Sequence, residues 1–573
     1  MKKIFNLFSL SFALAFAGCQ DFLTVDPQDS LVAENYYTTE ANVRANTASL
    51  YGKVWWSFHS QFMWLAGDEL AGDIYYTYDA EGQFYYNKVG AGNTYNNSGW
   101  SGLYRVVSFA NSIINDMPEP ARSNGVSEDV INAALGEAHF IRAVAYYYIA
   151  ENWGEAPIIE NATELITSGN PDDIYVNKNT QSNLYRFICE DLEFATSVLP
   201  ETDAQAGRVT KWSALGMLAR AYLTRGAYES NADYYAKAKE YARQVIEESG
   251  LALYSDFSTM YDVAANNSSE SLFAIQCMVG NYGDGSSRNV NWSRSSRIAD
   301  QTWGAGKGPT ISLQQLFAEH PADARRKWTY MTNGDYYANL AKDEGGYTYQ
   351  YTYRDPDALD TQVEYANEML AHIKKYVIGK ASDADGQVGQ NQDAGNNIYI
   401  LRLSDVYFMY AEAVMGLNES TSDTTAIGYI NTVLGTHGAG YTKSAPLEYA
   451  DLLKERRREF AFEGTSWYDI KRYFYRNKEA ALTYLNDMKR DQVYRFDYNT
   501  NDVTNLPTAD LYVLENKKSS YIIGWETTVN GEWDGERLNS IVFTDASMYM
   551  ALPAEVTTKA PILLEDAVDY YNE

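Results

Sequence analysis

The chain has 573 residues, of which 45% are hydrophobic and 14% aromatic, and its formal net charge is −30. Such a chain can bury enough apolar surface to fold, which excludes a wholly disordered protein. The negative charge disfavours binding to nucleic-acid phosphates, because that binding needs a basic surface. The cysteines at positions 19, 189 and 277 have neither zinc-binding nor disulfide-framework spacing. We therefore predict no nucleic-acid partner, no metal and no cofactor.

The first residues are typical of a secretory signal peptide. Two lysines precede an apolar run up to Ala17 and Gly18, which is too short to span a bilayer. Cys19 follows these small residues directly and resembles the acylated cysteine of bacterial lipoproteins. We predict a signal peptide over residues 1–18 and lipidation of Cys19, which would anchor the mature chain to a membrane.

Helical periodicity is the main pattern of the body. It is found in four stretches, at residues 134–148, 211–225, 234–248 and 403–417. Apolar and small residues recur there at steps of three and four, as at Ala138, Ile141 and Ala145. We expect the helical scaffold over about residues 30–60, 105–150, 181–250 and 401–475. Amphipathic helices joined by short polar links pack as antiparallel pairs, and the segment 212–248 resembles a tetratricopeptide-type hairpin. We predict a mainly α fold in which tetratricopeptide-like helix pairs form an α-solenoid-like scaffold.

Two stretches, at about 62–104 and 280–360, lack this periodicity. They are rich in Gly, Asn, Asp, Tyr and Trp, which predicts long ordered loops, and such loops are usually functional. The segment after about residue 488 alternates Tyr, Val and polar residues, which predicts short β-strands. No Pro- or Ser-rich linker interrupts the chain, so we expect a single body over residues 19–573.

Known catalytic motifs are missing from the sequence. It contains no GxSxG, no HExxH and no complete phosphate-binding loop, and its five histidines are scattered. Carboxylate pairs such as Asp68 and Asp73 could serve glycoside hydrolysis, but 76 acidic residues produce such pairs by chance. We predict that the protein is not an enzyme.

Opposite charges alternate within one C-terminal segment. The charged residues concerned are Arg456, Glu459, Glu463, Asp469 and Arg472. Residues three and four apart share a helix face, so a catalytic cluster or a buried ion network would both fit. We favour the ion network, because no nucleophile lies within the segment, and we interpret Arg142, Glu137 and Glu412 in the same way.

Six motifs together resemble one family. They are CQDFLTVDP at 19–27, WSGLY at 100–104 followed by Ala110-Asn111, GEAHFIRA to NWGEAP at 136–157, LRLSD to YAEA at 401–413, ERRREFAFEG to WYDIKR at 455–472, and LPAE at 552–555. In this order they resemble the SusD/RagB-family nutrient-binding lipoproteins of the Bacteroidota. The resemblance extends over nearly the whole mature chain.

The resemblance implies a lipid-anchored protein on the outer face of the outer membrane. Members of this family carry a loop-rich, ligand-binding half on four tetratricopeptide-like helix pairs. They cover a SusC-like, TonB-dependent barrel and deliver oligosaccharides or peptides to it. Glycan capture without catalysis is the function we expect. The alternatives are a peptide-binding member, a lid that binds no ligand and, further away, a glycoside-processing enzyme.

Aromatic residues of the two loop stretches are the predicted ligand contacts. A sugar ring has an apolar face and a rim of hydroxyls, so binding needs flat rings with polar side chains beside them. The predicted binding residues are Asp68, Asp73, Tyr75, Tyr95, Asn96, Tyr282, Trp292, Arg294 and Trp303, with Tyr76 and Tyr78 as neighbours. Trp100 lies in a helix motif and is predicted to be a core residue.

Overall fold

The computed structural model describes residues 36–167, 175–350, 352–354, 363–365, 367, 369–488, 490, 492–496, 522–527 and 541–571. The predicted signal peptide over 1–18 and the predicted lipidation site Cys19 lie outside the described residues. Among those that are described, no helix combines the length and the apolar content needed to cross a bilayer.

Helices make up most of the described chain. In chain order they are α1 Glu40–Ala48, α2 Trp56–His59, α3 Phe62–Trp64, α4 Asp79–Tyr85, α5 Thr94–Asp116, α6 Pro118–Ser123, α7 Glu128–Trp153, α8 Ala162–Thr167, α9 Gln181–Val198, α10 Lys211–Tyr228, α11 Ala232–Glu248, α12 Arg288–Trp292, α13 Ile311–Ala318, α14 Arg325–Thr329, α15 Leu403–Met415, α16 Thr424–Thr436, α17 Tyr449–Phe460, α18 Ser466–Arg476, α19 Lys478–Asn486 and α20 Ala554–Lys559. A π-helical turn, Leu65–Glu69, directly follows α3.

The strands are short. They are β1 Ile74–Tyr75, β2 Ser271–Ile275, β3 Gly308–Pro309, β4 Tyr330–Thr332, β5 Tyr336–Tyr337, β6 Tyr347–Thr348, β7 Thr352–Arg354, β8 Val363–Tyr365, β9 Ala371–Ile373, β10 Ile398–Arg402, β11 Ser420–Thr421, β12 Leu447–Glu448, β13 Gln492–Phe496 and β14 Ile522–Thr527. Within the described ranges every sheet is an antiparallel pair: β1–β3, β2–β10, β4–β9, β5–β6, β7–β8, β11–β12 and β13–β14. The predicted mainly α fold with short strands is confirmed.

The long helices pack against one another in a continuous series. Helix α7 contacts α5 and α9, α10 contacts α9 and α11, and α15 contacts α11 and α16. Small residues allow this close approach: a Cβ on Gly136 of α7 would lie 2.8 Å from the side chain of Val198. The solenoid-like arrangement of these helices stays a prediction.

The stretch 62–104 is more helical than its composition predicted. It contains α3, α4 and the first turns of α5, which begins at Thr94. Asn93 caps α5 by accepting hydrogen bonds from the backbone N–H groups of Tyr95 and Asn96. Gly99 lies inside α5, where a Cβ would come within 2.4 Å of the Phe62 ring. The Asn and Gly residues that indicated a loop therefore cap and pack a helix.

One hydrophobic core cluster extends from Tyr37 to Met550 and includes residues of the helices and of the segments between them. Trp100 belongs to it, as predicted. Cys189 and Cys277 are both free thiols. The short strands and turns of 280–350 are thus packed on the same core as the long helices.

Buried ion pairs connect the C-terminal helices. Arg456 pairs with Asp469 at 2.8 Å, and Arg472 pairs with Asp469 at 2.7 Å. The predicted ion network is therefore present. The interpretation of Arg142, Glu137 and Glu412 as structural ion-pair residues is also confirmed, but they do not pair with one another, and each has a different partner. These pairs are Arg142–Asp191 at 2.7 Å, Arg208–Glu137 at 2.7 Å and Arg472–Glu412 at 3.0 Å.

Arg402 lies at the centre of a second, fully buried charge cluster. Its guanidinium contacts Glu270 at 2.5 Å, Glu459 at 3.1 Å and Glu463 at 2.8 Å. Glu459 and Glu463 therefore join β10 to α17 and the turn after it, in place of pairing with Arg456. The sequence spacing alone did not indicate this arrangement, because Glu270 and Arg402 come from distant segments.

Candidate ligand-binding surface

Six of the nine predicted binding residues have buried side chains. They are Asp68, Asp73, Tyr75, Asn96, Trp292 and Arg294. A buried ring or carboxylate cannot contact an oligosaccharide that arrives from solvent. The prediction that these six contact the ligand is corrected accordingly: they hold the structure that lies beneath the surface.

The two aspartates connect the π-helical turn region to the α17–α18 segment. Asp68 accepts hydrogen bonds from the backbone N–H groups of Phe462, at 3.1 Å, and Gly464, at 2.8 Å. Asp73 contacts Arg457 Nε at 2.5 Å and accepts a 2.5 Å hydrogen bond from the Ser466 hydroxyl. Burial raises the pKa of Asp68 well above its usual range. Both carboxyl groups therefore have structural partners.

The buried aromatic residues pack against other rings. Trp292 meets Trp64 and Tyr376 edge to face, with centroid distances of 6.1 and 6.0 Å. Tyr75 meets Tyr85 in the same way at 5.3 Å. These contacts explain why Trp292 and Tyr75 are buried, although the loop-like composition predicted that both rings face solvent.

The two buried polar residues have fixed partners as well. Asn96 accepts a 3.0 Å hydrogen bond from the Trp153 indole and donates one of 2.9 Å to the carbonyl of Ala551. Arg294 donates to the carbonyl of Gln350 at 2.7 Å. Neither side chain has its polar end directed at solvent.

Four aromatic side chains of the same two stretches are exposed. Tyr282 is 57% exposed, Trp303 50%, and Tyr78 and Tyr336 47% each. Tyr336 lies in the β5–β6 pair, where its hydroxyl donates a 2.8 Å hydrogen bond to the carbonyl of Gly345. Single exposed rings are ordinary, whereas exposed rings that lie on adjoining segments mark sites of contact with other molecules. We call Tyr78, Tyr282 and Trp303 the aromatic surface. The ninth predicted residue, Tyr95, is partly buried beside it.

The β1–β3 pairing places the segments that carry Tyr78 and Trp303 side by side. Tyr75 pairs with Gly308 in antiparallel register, so the chain leaving β1 runs beside the chain entering β3. A Cβ on Gly306 would lie 3.1 Å from the ring of Tyr76 and 3.8 Å from that of Tyr78. The backbone just after Trp303 therefore lies directly against these tyrosines.

The segment 390–393 joins the Tyr282 loop to the Trp303 loop. The Gln301 amide donates to the carbonyl of Gln390 at 2.8 Å and accepts from the N–H of Gln392 at 3.1 Å. On the other side, Asp393 accepts a 2.7 Å hydrogen bond from the N–H of Gly280. These bonds fix the two loops relative to each other.

Trp56 supports Tyr282 from the helical part of the chain. Their ring centroids are 4.8 Å apart and the rings are inclined at 65°. Trp56 also contacts His59, whose pKa is lowered to about 3 by burial and by the nearby Arg288. Sequence reasoning missed Trp56, because it lies in a stretch with helical periodicity. Its position beside a loop residue 226 positions later was not visible in the sequence.

A buried ion pair lies behind the Tyr76 and Tyr78 end of the surface. Lys307 Nζ is 2.9 Å from Glu81 Oε2 and 4.7 Å from the centroid of the Tyr76 ring. Glu81 also accepts a 3.2 Å hydrogen bond from the Tyr95 hydroxyl. Burial and the charge of Glu81 raise the pKa of Tyr76 to about 12. Tyr76 therefore stays neutral over the physiological pH range.

One cluster of described residues has the composition of a metal site. It comprises Glu270, His437 and Glu459. Both ring nitrogens of His437 face carboxylates, at 3.2 Å from Glu270 and 2.8 Å from Glu459. Burial disfavours the charged ring, but the two glutamates outweigh it and raise the pKa of His437 to about 9. Glu270 and Glu459 pair with Arg402 as well as with His437, so in this structure the three residues form part of the buried ion network.

Two family models match the chain. The model described as the SusD family matches residues 237–523, and one described as "Starch-binding associating with outer membrane" matches residues 21–223. Together they include both stretches that supply the aromatic surface.

Two of the similar proteins come from Bacteroides. The chain is 32% identical over 494 residues to a SusD-like protein of Bacteroides ovatus, covering 85% of each protein. It is 32% identical over 150 residues to the starch-binding protein SusD of Bacteroides thetaiotaomicron, which is 26% of this chain and 25% of that protein. A crystal structure of a protein with xylogluco-oligosaccharide has 29% identity and a TM-score of 0.76, covering 93% of this chain and 100% of that one.

Proposed function

Because the chain belongs to the SusD family, we propose that it binds oligosaccharides on the aromatic surface and does not alter them. One observation carries the proposal: Tyr78, Tyr282 and Trp303 are exposed and are fixed on adjoining segments. Flat rings held in this way take up the apolar C–H face of a sugar, and the exposed edges leave its hydroxyls in water.

The similar proteins support a glycan as the ligand class. One was solved with xylogluco-oligosaccharide, and another is named as starch-binding. The net charge of −30 also favours a ligand that is neutral where it meets the aromatic surface, because an acidic one would be repelled. Affinity from an open, shallow surface is expected to be modest.

The binding experiment uses isothermal titration calorimetry with xylogluco-oligosaccharides and malto-oligosaccharides. For the oligosaccharide that binds, Trp303→Ala and Tyr282→Ala should each weaken affinity about tenfold, which is about 1.4 kcal/mol. Tyr175→Ala is the matched control, since Tyr175 is similarly exposed but lies outside the two loop stretches.

Unchanged affinity in both variants would contradict the proposed site. Binding of peptides in place of glycans would assign the peptide-binding alternative. Chromatography of the oligosaccharide after long incubation tests the absence of catalysis, because any cleaved product would identify an enzyme.

We also propose that the protein delivers its ligand to a SusC-like, TonB-dependent barrel from the outer face of the outer membrane, where a lipid on Cys19 holds it. The family description that mentions the outer membrane supports this location.

The test is fractionation of cells producing the native chain or Cys19→Ala. The native protein should co-purify with the outer membrane and its barrel, and Cys19→Ala should be lost from that fraction. Retention of the variant would contradict the anchor.

A further inference from the structure

A cavity of about 770 Å³ lies next to the Tyr282 end of the aromatic surface. It is formed by the segment after α1, the middle of α5, the loop 205–208 and the end of β2. The side chains that matter for its chemistry are Lys53, Arg105, Phe109, Gln276, Met278 and Asp284. Its size is that of a pocket for a small ligand or one to two sugar units.

The wall along β2 is rigid. The backbone N–H of Gln276 donates to the carbonyl of Tyr51 at 2.7 Å. The Gln276 side chain exchanges hydrogen bonds of 2.9 and 3.0 Å with Asn267 and accepts one of 3.0 Å from Asn397. With its partners already in place, this wall needs no rearrangement to receive a ligand, which lowers the entropic cost of binding.

Apolar side chains are left open at the mouth of the cavity. Phe109 is 45% exposed and Met278 is 64% exposed. Arg105 precedes Phe109 by four positions on α5, so the two lie one above the other on the same helix face. An aromatic face and a guanidinium therefore meet at one side of the opening.

Arg105 differs from the other two cations that line the cavity, Lys53 and Arg208. Arg208 is buried and pairs with Glu137 at 2.7 Å. Lys53 is already paired, since its Nζ lies 3.2 Å from Asp284. Arg105 is exposed, and the described part of the chain offers it neither a hydrogen bond nor an ion pair. In a protein with a net charge of −30, an unbalanced guanidinium at a cavity mouth is the feature that would admit an acidic ligand.

The cavity is continuous with the proposed binding site. Lys53 donates a 3.0 Å hydrogen bond to the carbonyl of Tyr282. The next residue, Gly283, lies against Trp56, where a Cβ would be 3.4 Å from the indole. A glycan that lies across Tyr282 could therefore extend into the cavity without leaving the protein surface.

We propose that this cavity is a second subsite, which takes a carboxylate-bearing sugar unit, a uronic acid, of the glycan. The proposal rests on the proposed glycan-binding function. The guanidinium of Arg105 pairs with the carboxylate through its planar fork of N–H donors. Phe109 packs against the sugar's apolar face, and Met278 closes the other side of the opening.

The test is a ligand-observed NMR titration with sodium glucuronate, with methyl β-glucopyranoside as the neutral probe. Wild-type protein should bind glucuronate in the millimolar range, more tightly than the neutral sugar, and more weakly as salt is raised. Arg105→Gln should weaken glucuronate binding at least tenfold and Phe109→Ala about fivefold. Arg105→Lys keeps the charge but loses the fork, and should weaken it about threefold.

Trp303→Ala is the control that separates the two sites. It should leave glucuronate binding unchanged while weakening the binding of neutral oligosaccharides. Glucuronate binding that survives Arg105→Gln, or no saturable binding to the wild type, would overturn the subsite. Unchanged binding of neutral oligosaccharides in Trp303→Ala would instead overturn the proposed function. The two failures are therefore distinguishable. Thermal melts should be the same for all variants, because these side chains are exposed.

Discussion

The charge cluster around Arg402 buries its charged groups, whereas the aromatic surface leaves its apolar rings exposed. Around Arg402, charged groups are fully buried and each has opposite charges within hydrogen-bonding distance. At Tyr282 and Trp303, large apolar rings remain in water. Burial of either ring in the protein would stabilise the fold by about 2 kcal/mol. Tyr282 and Trp303 forgo this stabilisation, and we assign both rings to ligand binding.

The difference indicates that exposed aromatic rings, and not the charged motifs, are the residues to test for ligand binding in this chain. Its charged motifs are conspicuous in the sequence, but their partners are other protein groups. Its aromatic residues divide into buried rings such as Trp292, which stabilise the fold, and exposed rings such as Trp303. The predictions below test that division.

Breaking the charge cluster is expected to have the largest effect. Arg402→Met leaves Glu270, Glu459 and Glu463 without their shared cation, and should lower the free energy of unfolding by about 3–5 kcal/mol. Urea unfolding followed by circular dichroism measures it. Arg243→Gln, at an exposed set of helix ion pairs, is the control and should change stability little. A similar small loss for Arg402→Met would show that the buried cluster is not stabilising.

The two tryptophans of the second loop stretch should behave oppositely. Trp292→Ala creates a cavity beside Trp64 and Tyr376 and should lower stability by about 3–5 kcal/mol. Trp303→Ala should alter stability by less than about 0.5 kcal/mol, while it weakens oligosaccharide binding. Thermal unfolding and calorimetry on the same preparations measure both properties. Equal effects of the two substitutions on stability would contradict the division into buried and exposed rings.

Stability should also depend on pH through His437. Its pKa is about 9 in the fold, against about 6.5 in the unfolded chain. A raised pKa contributes stability that is complete below about pH 6.5 and is lost as pH rises through about 9, here about 3 kcal/mol.

The measurement compares the wild type with His437→Gln between pH 6 and 9.5. The difference in free energy of unfolding between the two proteins should shrink as pH rises, because groups common to both cancel. A difference that is independent of pH would show that the His437 ring is not charged in the fold.

The smallest effect is expected from removing one hydroxyl at the aromatic surface. Tyr78→Phe keeps the ring face and should leave oligosaccharide affinity within about twofold, whereas Tyr78→Ala should weaken it about fivefold, or about 1 kcal/mol. Titration calorimetry separates these values. A large loss in Tyr78→Phe would mean that hydrogen bonding, more than ring contact, provides the affinity at this position.

Much of the fold could be predicted from local patterns. The helices α7, α10, α11 and α15 fall where apolar spacing placed them, and Trp100 lies in the core as its motif indicated. The two stretches that supply the aromatic surface were also identified from composition. Individual residues within them were identified only in part. Tyr282 and Trp303 are exposed, as a ligand contact requires, but Tyr75 is buried and Tyr78 is exposed, although both are tyrosines of one short segment.

The amino-acid sequence by itself determined the mainly helical class, the family and the two stretches that bear the exposed rings, because periodicity, motif order and composition are local properties of the chain. Only the tertiary structure decided which rings face water and which charges pair. Those outcomes depend on contacts between segments far apart in the chain, such as β1 with β3, Trp56 with Tyr282 and Arg402 with Glu270. Burial is a property of the packed whole, and no single segment encodes it.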